Sequence, residues 1–387
     1  MPILLKRANQ VPVVTLLGPR QAGKTTLVKY AFPDYTYANL ENPAIREFAI
    51  KDPKGFFSQY APPVILDEIQ RVPQLLSWIQ VIVDEEKKRG LFILTGSNQP
   101  QLRESISQSL AGRTTVLTLL PLSLEELKQQ GIYLDRDKAL FQGFLPRLYD
   151  QSLEPTTLYL DYYATYMDRD IRQMVNIKDS LRFETFMRLL AGRVGQVLNT
   201  SSLANDVGVS HTTIVSWLSV LESSFITFRL PPWLTNISKR YIKSPKIYFY
   251  EPGLLASLLQ LNSLQQVSRD PLLGNLFENL IVLECVKALY NRDFRNPLFF
   301  YREQAGIEID LILEHQRLPN AIEIKCAQTF HPDFVRSLYG FKERFPQTSS
   351  LRVVYGGNEN IMGSDYQVFS FRNVEAMVNW IVQEENR

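Results

Sequence analysis

A glycine-rich segment near the start of the chain has the residue types and spacing of a phosphate-binding loop. It follows the pattern Gly-x-x-x-x-Gly-Lys-Thr from Gly18 to Thr25. Glycines let several backbone N–H groups surround a phosphate, and the helix that follows adds the positive end of its dipole. We expect Lys24 to reach the β- and γ-phosphates of ATP and Thr25 to ligate Mg²⁺. The expected nucleotide-binding residues of the loop are Gly18, Pro19, Arg20, Gln21, Ala22, Gly23, Lys24, Thr25 and Thr26.

Two carboxylates, Asp67 and Glu68, follow a short apolar run. A strand that ends there would deliver both side chains to the phosphate edge of a parallel sheet. Asp67 would then hold the water shell of Mg²⁺, and Glu68 would polarise the attacking water, which favours hydrolysis over binding alone. An Asp-Glu pair after a strand can also cap the next helix. The complete phosphate-binding loop upstream favours the catalytic interpretation.

Two more positions in the first third of the chain are candidates for contact with the nucleotide. A third apolar run ends in small polar residues, and its position predicts that Asn98 or Ser97 senses the γ-phosphate. Arg113 follows Leu-Ala-Gly and is a candidate arginine finger, acting between subunits of a homo-oligomer. A surface salt bridge is the alternative role for Arg113.

A second group of carboxylates lies in the last third of the chain. Glu308 and Asp310 alternate with apolar residues, so they share one face of a strand. Glu323 and Lys325 repeat this arrangement on the next apolar run, and pairing of the two strands would bring the charged groups together. Glu278, on the preceding helix, would complete the set.

Converging carboxylates can hold Mg²⁺ or Mn²⁺ through oxygen ligands. We therefore expect a second metal site at Glu278, Asp310 and Glu323. Glu323 and Lys325 would activate a water there for attack on a phosphodiester. The alternative is a hairpin with one solvated, charged face. Cleavage of nucleic acid is a separate hypothesis from the fold, which can also serve as an inert scaffold.

A helix-turn-helix is predicted between these two regions. Ser201–Asp206 and Ser210–Glu222 have helical patterns, and Gly208 suits a left-handed turn between them. The second helix contains no Lys or Arg, so sequence-specific reading of DNA bases is not favoured. Four basic residues follow and could contact phosphates, or else form a solvated basic strand: Lys239, Arg240, Lys243 and Lys246.

The elements that must position these residues can be predicted from the apolar runs. Strands at Val11–Leu17, Pro63–Leu66 and Leu91–Thr95 are separated by helical segments, which predicts a parallel sheet with crossover helices. A helical pattern follows from about Leu122 to Ser180. Near the end of the chain, the apolar helix Leu272–Tyr290 leads into the strands Phe299–Arg302, Ile307–Leu313 and Ala321–Cys326.

The composition is ordinary for a globular protein that is not embedded in a membrane. The chain has 387 residues, 45% hydrophobic and 21% charged, with a net charge of +2. Its length predicts two or three domains. Cys285 and Cys326 cannot form a disulfide framework or a zinc site, and no signal peptide or membrane span is visible. We expect a cytoplasmic protein without a membrane partner.

Several short motifs, in order, carry a family resemblance that covers nearly the whole chain. They are Gly-Pro-Arg-Gln-Ala-Gly-Lys-Thr-Thr-Leu at 18–27, Leu-Asp-Glu-Ile-Gln at 66–70, Leu-Thr-Gly-Ser-Asn at 94–98, Leu-Ala-Gly-Arg at 110–113, Asp-Arg-Asp-Ile at 168–171, Ser-Pro-Lys-Ile-Tyr at 244–248, Gly-x-x-Phe-Glu-Asn at 274–279, Glu-Ile-Asp at 308–310 and Glu-Ile-Lys at 323–325. The chain resembles a family of prokaryotic AAA-type P-loop ATPases with a C-terminal domain of unknown function. It departs from that family at Glu251, where an Asp is common.

The resemblance implies an α/β architecture. Its parts are a P-loop AAA-type core at 1–121, a helical lid at 122–180, a winged helix at 181–262 and a PD-(D/E)xK nuclease-like domain at 263–387. We expect the chain to bind and hydrolyse ATP and to act on or with DNA through its winged-helix and nuclease-like parts. The alternative is a nucleotide-gated switch or adaptor for a protein partner, in which the nuclease-like domain is an inert scaffold.

Overall fold

The computed structural model describes residues 1–97, 100–165, 179–236, 240, 243–294, 297–303 and 306–383. The chain divides into two compact units. The N-terminal unit comprises residues 1–121 together with 223–225 and 290–293, and the C-terminal unit comprises the other described residues. Within these ranges, no helix is long and apolar enough to cross a membrane.

The N-terminal unit is built on a parallel sheet of five strands in the order β2-β3-β4-β1-β5. The sequence-based prediction of a parallel sheet is confirmed. The β2 and β5 strands were not predicted, because both are short and only partly buried. The strands are β1 (Val13–Gly18), β2 (Thr36–Asn39), β3 (Val64–Asp67), β4 (Phe92–Ser97) and β5 (Thr114–Thr118).

Crossover helices connect the strands of this unit, as parallel pairing requires. Apolar side chains from β1, β4 and the first two helices form a buried core that includes Leu16, Val28 and Ile93. The β1, β3 and β4 strands are buried along their whole length, which explains why they read as continuous apolar runs. The helices are α1 (Pro2–Ala8), α2 (Lys24–Ala31), α3 (Pro43–Lys51), α4 (Pro53–Gln59), α5 (Leu75–Glu86) and α6 (Pro100–Ser109).

The first part of the C-terminal unit is helical. Most of its helices begin at an Asp, Ser, Asn or Glu whose side chain accepts a backbone N–H of the first turn, for example Ser123 and Asp135. The helices are α7 (Leu124–Gln129), α8 (Arg136–Gln142), α9 (Pro146–Asp150), α10 (Pro155–Tyr162), α11 (Ser180–Ala191), α12 (Thr200–Val207), α13 (His211–Ser223), α14 (Pro252–Leu258) and α15 (Leu264–Arg269).

Two of these helices form the expected helix-turn-helix. Gly208 ends α12 in a left-handed conformation (φ 74°), and the Ser210 hydroxyl accepts the N–H of Thr213 at 3.1 Å to begin α13. Trp217 packs against Phe183 and Phe186, which fixes α13 on the preceding helix α11. A two-stranded antiparallel sheet of β6 (Thr227–Leu230) and β7 (Lys246–Phe249) follows.

The last part of the C-terminal unit is a sheet of six strands in the order β12-β13-β11-β10-β9-β8. The β9 and β10 strands pair antiparallel, with Ala321 opposite Ile312, as the sequence had suggested. The helix α16 (Leu273–Tyr290) precedes the sheet, and most of its residues are buried, as its continuous apolar pattern predicts. The other elements are β8 (Leu298–Arg302), β9 (Glu308–His315), β10 (Leu318–Lys325), α17 (Arg336–Arg344), β11 (Ser350–Tyr355), β12 (Ile361–Met362), β13 (Gln367–Ser370) and α18 (Val374–Gln383).

Candidate functional site

The glycine-rich loop lies at the carboxyl end of β1 and leads directly into α2. Gly18 packs so closely against the carbonyl of Leu119 that any side chain at this position would clash with it. Gly23 adopts a left-handed conformation (φ 87°) at the start of α2. No side chain caps the first turn of α2, so its N–H groups remain available for an anion. Any other residue would therefore be strained at either of these two positions.

Lys24 is the buried cation of this loop. Its side chain is inside the protein, and its ammonium donates to the carbonyl oxygens of Gly18 and Pro19 at 3.1 and 2.7 Å. Burial lowers the pKa of Lys24, although Glu68 and then Asp67 act in the opposite direction. A desolvated ammonium held only by backbone carbonyls has a strong preference for an anionic ligand. The loop therefore fits the phosphates of a nucleotide.

Asp67 lies at the end of β3, two strands from β1, and is buried. Its carboxylate accepts hydrogen bonds from three hydroxyl groups. The Thr25 hydroxyl lies 2.9 Å from Oδ2, the Tyr37 hydroxyl lies 2.7 Å from the same oxygen, and the Thr95 hydroxyl donates to Oδ1. All three donors are neutral, so the charge of Asp67 is not cancelled within this group. Thr25 and Asp67 together present the oxygen ligands that Mg²⁺ prefers.

Glu68 follows Asp67 in a left-handed conformation (φ 59°), which turns its side chain away from the strand direction. The amide of Gln70 donates both to Glu68 and to the Ser97 hydroxyl, the latter at 3.0 Å. The backbone N–H of Glu68 donates to the Thr95 hydroxyl at 3.2 Å. These contacts connect the end of β3 to the end of β4, as expected for neighbouring parallel strands.

The other predicted positions of this site have different outcomes. Asn98 lies outside the described residues, and Ser97 is buried with its hydroxyl occupied by Gln70. Arg113 directly precedes β5 and lies beside Val13, at the amino edge of the sheet. That edge is roughly 16 Å along the strand from the phosphate loop. Arg113 forms a two-fold contact with Asp84, at 2.6 and 2.8 Å, which is the salt bridge named as the alternative.

The second carboxylate group does come together in the C-terminal unit. The Lys325 ammonium contacts Glu323 and lies 3.9 Å from Asp310, whose Oδ2 also accepts the N–H of Ile324 at 2.8 Å. Glu278 is buried near Asp310, whose negative charge adds to the effect of burial in raising the pKa of Glu278. Beside this group lies a cavity of about 590 Å³ lined by Glu308, Glu323, Lys325, Arg336 and Ser337, among others.

The pKa values of two carboxyls in this group are strongly raised. Burial, followed by the nearby Asp310, raises the pKa of Glu278 to about 7 and that of Glu323 to about 8. Lysines act in the opposite direction on both carboxyls. In the described part of the chain, no three Asp, Glu, His or Cys side chains are grouped so that they could hold a metal ion. The structure therefore does not support the expected metal site at Glu278, Asp310 and Glu323.

Two of the basic residues expected in a phosphate-contacting segment are buried in ion pairs instead. Arg240 contacts Glu314 at 2.7 and 3.0 Å, and Lys246 contacts Glu278 at 3.0 Å. This corrects the prediction, because a charge that is buried and paired cannot reach a phosphate. Lys243 is exposed. Lys239 lies outside the described residues, as does the Asp-Arg-Asp-Ile motif at 168–171.

Three side chains that the sequence analysis did not assign lie in important positions. Tyr37 contacts Asp67, and Gln70 contacts Glu68. Tyr37 lies in β2, a strand that the sequence analysis did not predict. Glu251, where the chain departs from the family pattern, is buried. Its Oε1 accepts from Phe144 N–H and the Tyr159 hydroxyl, both at 2.8 Å. Burial raises the pKa of Glu251.

Comparison with known protein families identifies three successive stretches. Residues 10–128 match an AAA domain, and residues 134–265 and 273–374 match two domains of unknown function (DUF8612 and DUF4143). The AAA match contains the loop, Asp67, Glu68 and β5.

Similar proteins are found in bacteria and archaea. The chain is 33% identical over 367 residues to the uncharacterized protein Rv2008c of Mycobacterium tuberculosis, which covers 93% of this chain and 80% of that protein. It is 23% identical over 339 residues to the uncharacterized protein MJ1637 of Methanocaldococcus jannaschii, covering 73% and 70% of the two chains. Among solved structures, the Walker-type ATPase PABY2304 of Pyrococcus abyssi aligns with a TM-score of 0.42 and 14% identity, covering 66% of this chain and 93% of that chain.

Proposed function

This chain belongs to a family of AAA-type P-loop ATPases, and from that premise we propose that it binds ATP with Mg²⁺ and hydrolyses it. The observation that carries the proposal is the convergence of Lys24, Thr25 and Asp67 at the carboxyl edge of one parallel sheet. A loop that only bound an anion would not need a carboxylate on the Thr25 hydroxyl. That pairing is the arrangement needed for a nucleotide with its metal.

Each side chain has a distinct role in this proposal. The N–H groups of the loop and of the first turn of α2 hold the phosphates, with the Lys24 ammonium beside them. Thr25 and Asp67 would hold Mg²⁺, whose positive charge would offset the negative charge of the phosphates. Glu68, held by the Gln70 amide, accepts the proton of the attacking water.

Substitution of Lys24 and Glu68 tests the proposal. Lys24→Ala should abolish binding of a fluorescent ATP analogue, whereas Glu68→Gln should retain binding and lower phosphate release about 10²- to 10⁴-fold. The matched controls are Lys54→Ala and Glu86→Gln, two exposed residues of the same unit that should keep native activity. Native turnover by Glu68→Gln would rule out Glu68 as the base.

Two processes are candidates for the output of the ATPase, meaning the process that ATP binding and hydrolysis would drive. Action on DNA is supported by the helix-turn-helix, by the two-stranded sheet after it, and by the pairing of the strands that carry Asp310 and Glu323. A nucleotide-gated switch for a protein partner is supported by the charges. The exposed face of α13 has no Lys or Arg, and Arg240 and Lys246 are buried. We favour the switch.

Fluorescence anisotropy with labelled duplex and single-stranded DNA distinguishes these outputs. Neutralisation of several phosphates would weaken binding about 10³- to 10⁵-fold between low and moderate salt. We expect no such salt-dependent binding, with or without ATP. Tight binding that is lost on Lys243→Ala would favour the DNA output.

A further inference from the structure

Four carboxylates of the C-terminal unit share two lysine ammonium groups. They belong to Glu278 of α16, Glu308 and Asp310 of β9, and Glu323 of β10. Lys325 lies between Asp310 and Glu323, as the sequence spacing had suggested. The second ammonium was not expected there, because it comes from β7, at least 30 residues earlier in the chain than any of the four.

That second ammonium belongs to Lys246. Its Nζ lies 3.0 Å from Oε1 of Glu278 and 3.1 Å from Oε1 of Glu308. The Lys246 side chain is only 3% exposed, so its ammonium group is desolvated. The Tyr248 hydroxyl, two residues further on the same strand face, donates to the same oxygen of Glu278 at 2.5 Å.

The backbone leaves Lys246 little freedom to withdraw. Lys246 begins β7, pairs with Leu230 of β6, and also forms a bridge with Val197. The aromatic ring of Phe300 lies 5.4 Å from the ammonium. A buried ammonium without its carboxylates is strongly unfavourable, so the contacts with Glu278 and Glu308 hold the side chain in this position. Lys246 is therefore a fixed part of the cluster.

We infer that Lys246 is the resident cation of this cluster and excludes a divalent metal from it. A metal bound by Glu278 together with Asp310 or Glu308 would have to lie beside the ammonium, where the two positive charges repel each other. The carboxylates would also have to give up their contacts with Lys246 and Tyr248. Lys246 thus occupies the position between Glu278 and Glu308 that a metal bound there would need.

This inference is independent of the ATPase proposal, and it is tested by metal binding without nucleotide. All proteins carry Asp67→Asn, so that the N-terminal site contributes nothing. Free Mn²⁺ is followed by electron paramagnetic resonance during titration. The chain with Lys246 intact should leave Mn²⁺ free, whereas Lys246→Met should bind it at least ~10-fold more tightly. Addition of Asp310→Asn to Lys246→Met should abolish the gain, and Lys246→Arg, which keeps a cation, should show none.

Two results would overturn the inference. One is Mn²⁺ binding by the chain with Lys246 intact that disappears on Asp310→Asn. The other is a folded Lys246→Met variant, judged by circular dichroism, that binds no more Mn²⁺ than the parent. If Lys246→Met unfolds, Lys246→Gln replaces it, because the amide retains a donor for Glu278 without the charge. A variant that folds only when Mn²⁺ is present supports the inference.

Discussion

The two acidic sites of this chain contain similar residues but are arranged differently. Asp67 in the N-terminal unit is surrounded by hydroxyl groups, from Thr25, Tyr37 and Thr95. Glu278 in the C-terminal unit is paired with an ammonium, that of Lys246. Neutral donors orient a carboxylate without cancelling its charge, whereas a lysine cancels it. The first site therefore remains open to an external cation and the second is satisfied internally.

The two buried lysines differ in the same way. Lys24 donates to two backbone carbonyls, and burial lowers its pKa. Lys246 contacts two carboxylates, which together with Asp310 outweigh burial and raise its pKa. Lys24 therefore favours an anionic ligand, whereas the charge of Lys246 is already balanced by carboxylates of the chain. This comparison leads to predictions that differ in sign between the two units.

The largest expected effect is on metal dependence. Removal of Mg²⁺ by a chelator should lower ATP turnover at least about 10³-fold, because the phosphate charge is then uncompensated. The same chelator should leave the thermal unfolding of the nucleotide-free chain unchanged, since the C-terminal cluster uses lysines. Phosphate release and differential scanning calorimetry measure the two responses. A lower unfolding temperature with chelator would contradict the comparison.

The next largest effect is on stability, which should respond differently to substitution of Lys246 and of Lys24. Lys246→Met should lower the free energy of unfolding by about 3 to 5 kcal/mol, because it leaves Glu278 buried and uncompensated. Glu278→Gln in the same chain should recover part of the loss. Lys24→Met should leave the free energy of unfolding equal or higher, since it removes a desolvated charge. Urea denaturation of the three variants measures these changes. An equal loss of unfolding free energy in Lys246→Met and Lys24→Met would contradict the prediction.

A smaller effect is expected on the pH dependence of stability. Burial and Asp310 raise the pKa of Glu278 to about 7, above its ordinary value of 4.5. The folded state then binds more protons than the unfolded state between these values, so stability falls as the pH rises from about 5 to about 7. Glu278→Gln, which cannot titrate, should make this fall shallower.

Urea denaturation at pH 5 and pH 8 checks this prediction. Part of the fall should remain in Glu278→Gln, because the pKa of Glu323 is also raised, to about 8. The exposed variant Glu359→Gln serves as the control and should keep the native slope. An unchanged slope in Glu278→Gln would show that this carboxyl does not titrate with the cluster.

The smallest effect on stability is expected at Arg113. Its contact with Asp84 is on the surface, so Arg113→Ala should leave the unfolding temperature nearly unchanged. If Arg113 acts on a neighbouring subunit, native ATP turnover per chain should rise with protein concentration, and Arg113→Ala should abolish this rise. A variant with the native concentration dependence would leave only the surface role.

Much of the N-terminal site was predictable because its signals are local. The loop from Gly18 to Thr25 is one contiguous motif, and its chemistry depends on backbone groups and a helix that follow directly in sequence. Asp67 and Glu68 come at the end of an apolar strand, and parallel strands bring their carboxyl ends to one edge. The boundaries of β1, β3 and β4 were accordingly within a few residues of those predicted.

The partners of these residues were not predictable in the same way. Tyr37 reaches Asp67 from β2, a strand of four residues with only one buried position. Gln70 was part of a recognised motif but had no assigned role. Glu251 was noticed only as a departure, yet it joins the backbone of Phe144 to Tyr159 from more than 90 residues away. A single sequence has no local signal for such contacts.

The sequence by itself determined the phosphate loop, the parallel sheet and the pairing of Asp310 with Glu323 and Lys325. Each follows from spacing along one or two neighbouring elements. Only the tertiary structure decided that Arg113 lies at the far edge of the sheet and that Lys246 enters the carboxylate cluster from β7. The physical reason is that a charge's effect depends on which charges and how much water surround it. Those surroundings come from segments that are distant in sequence.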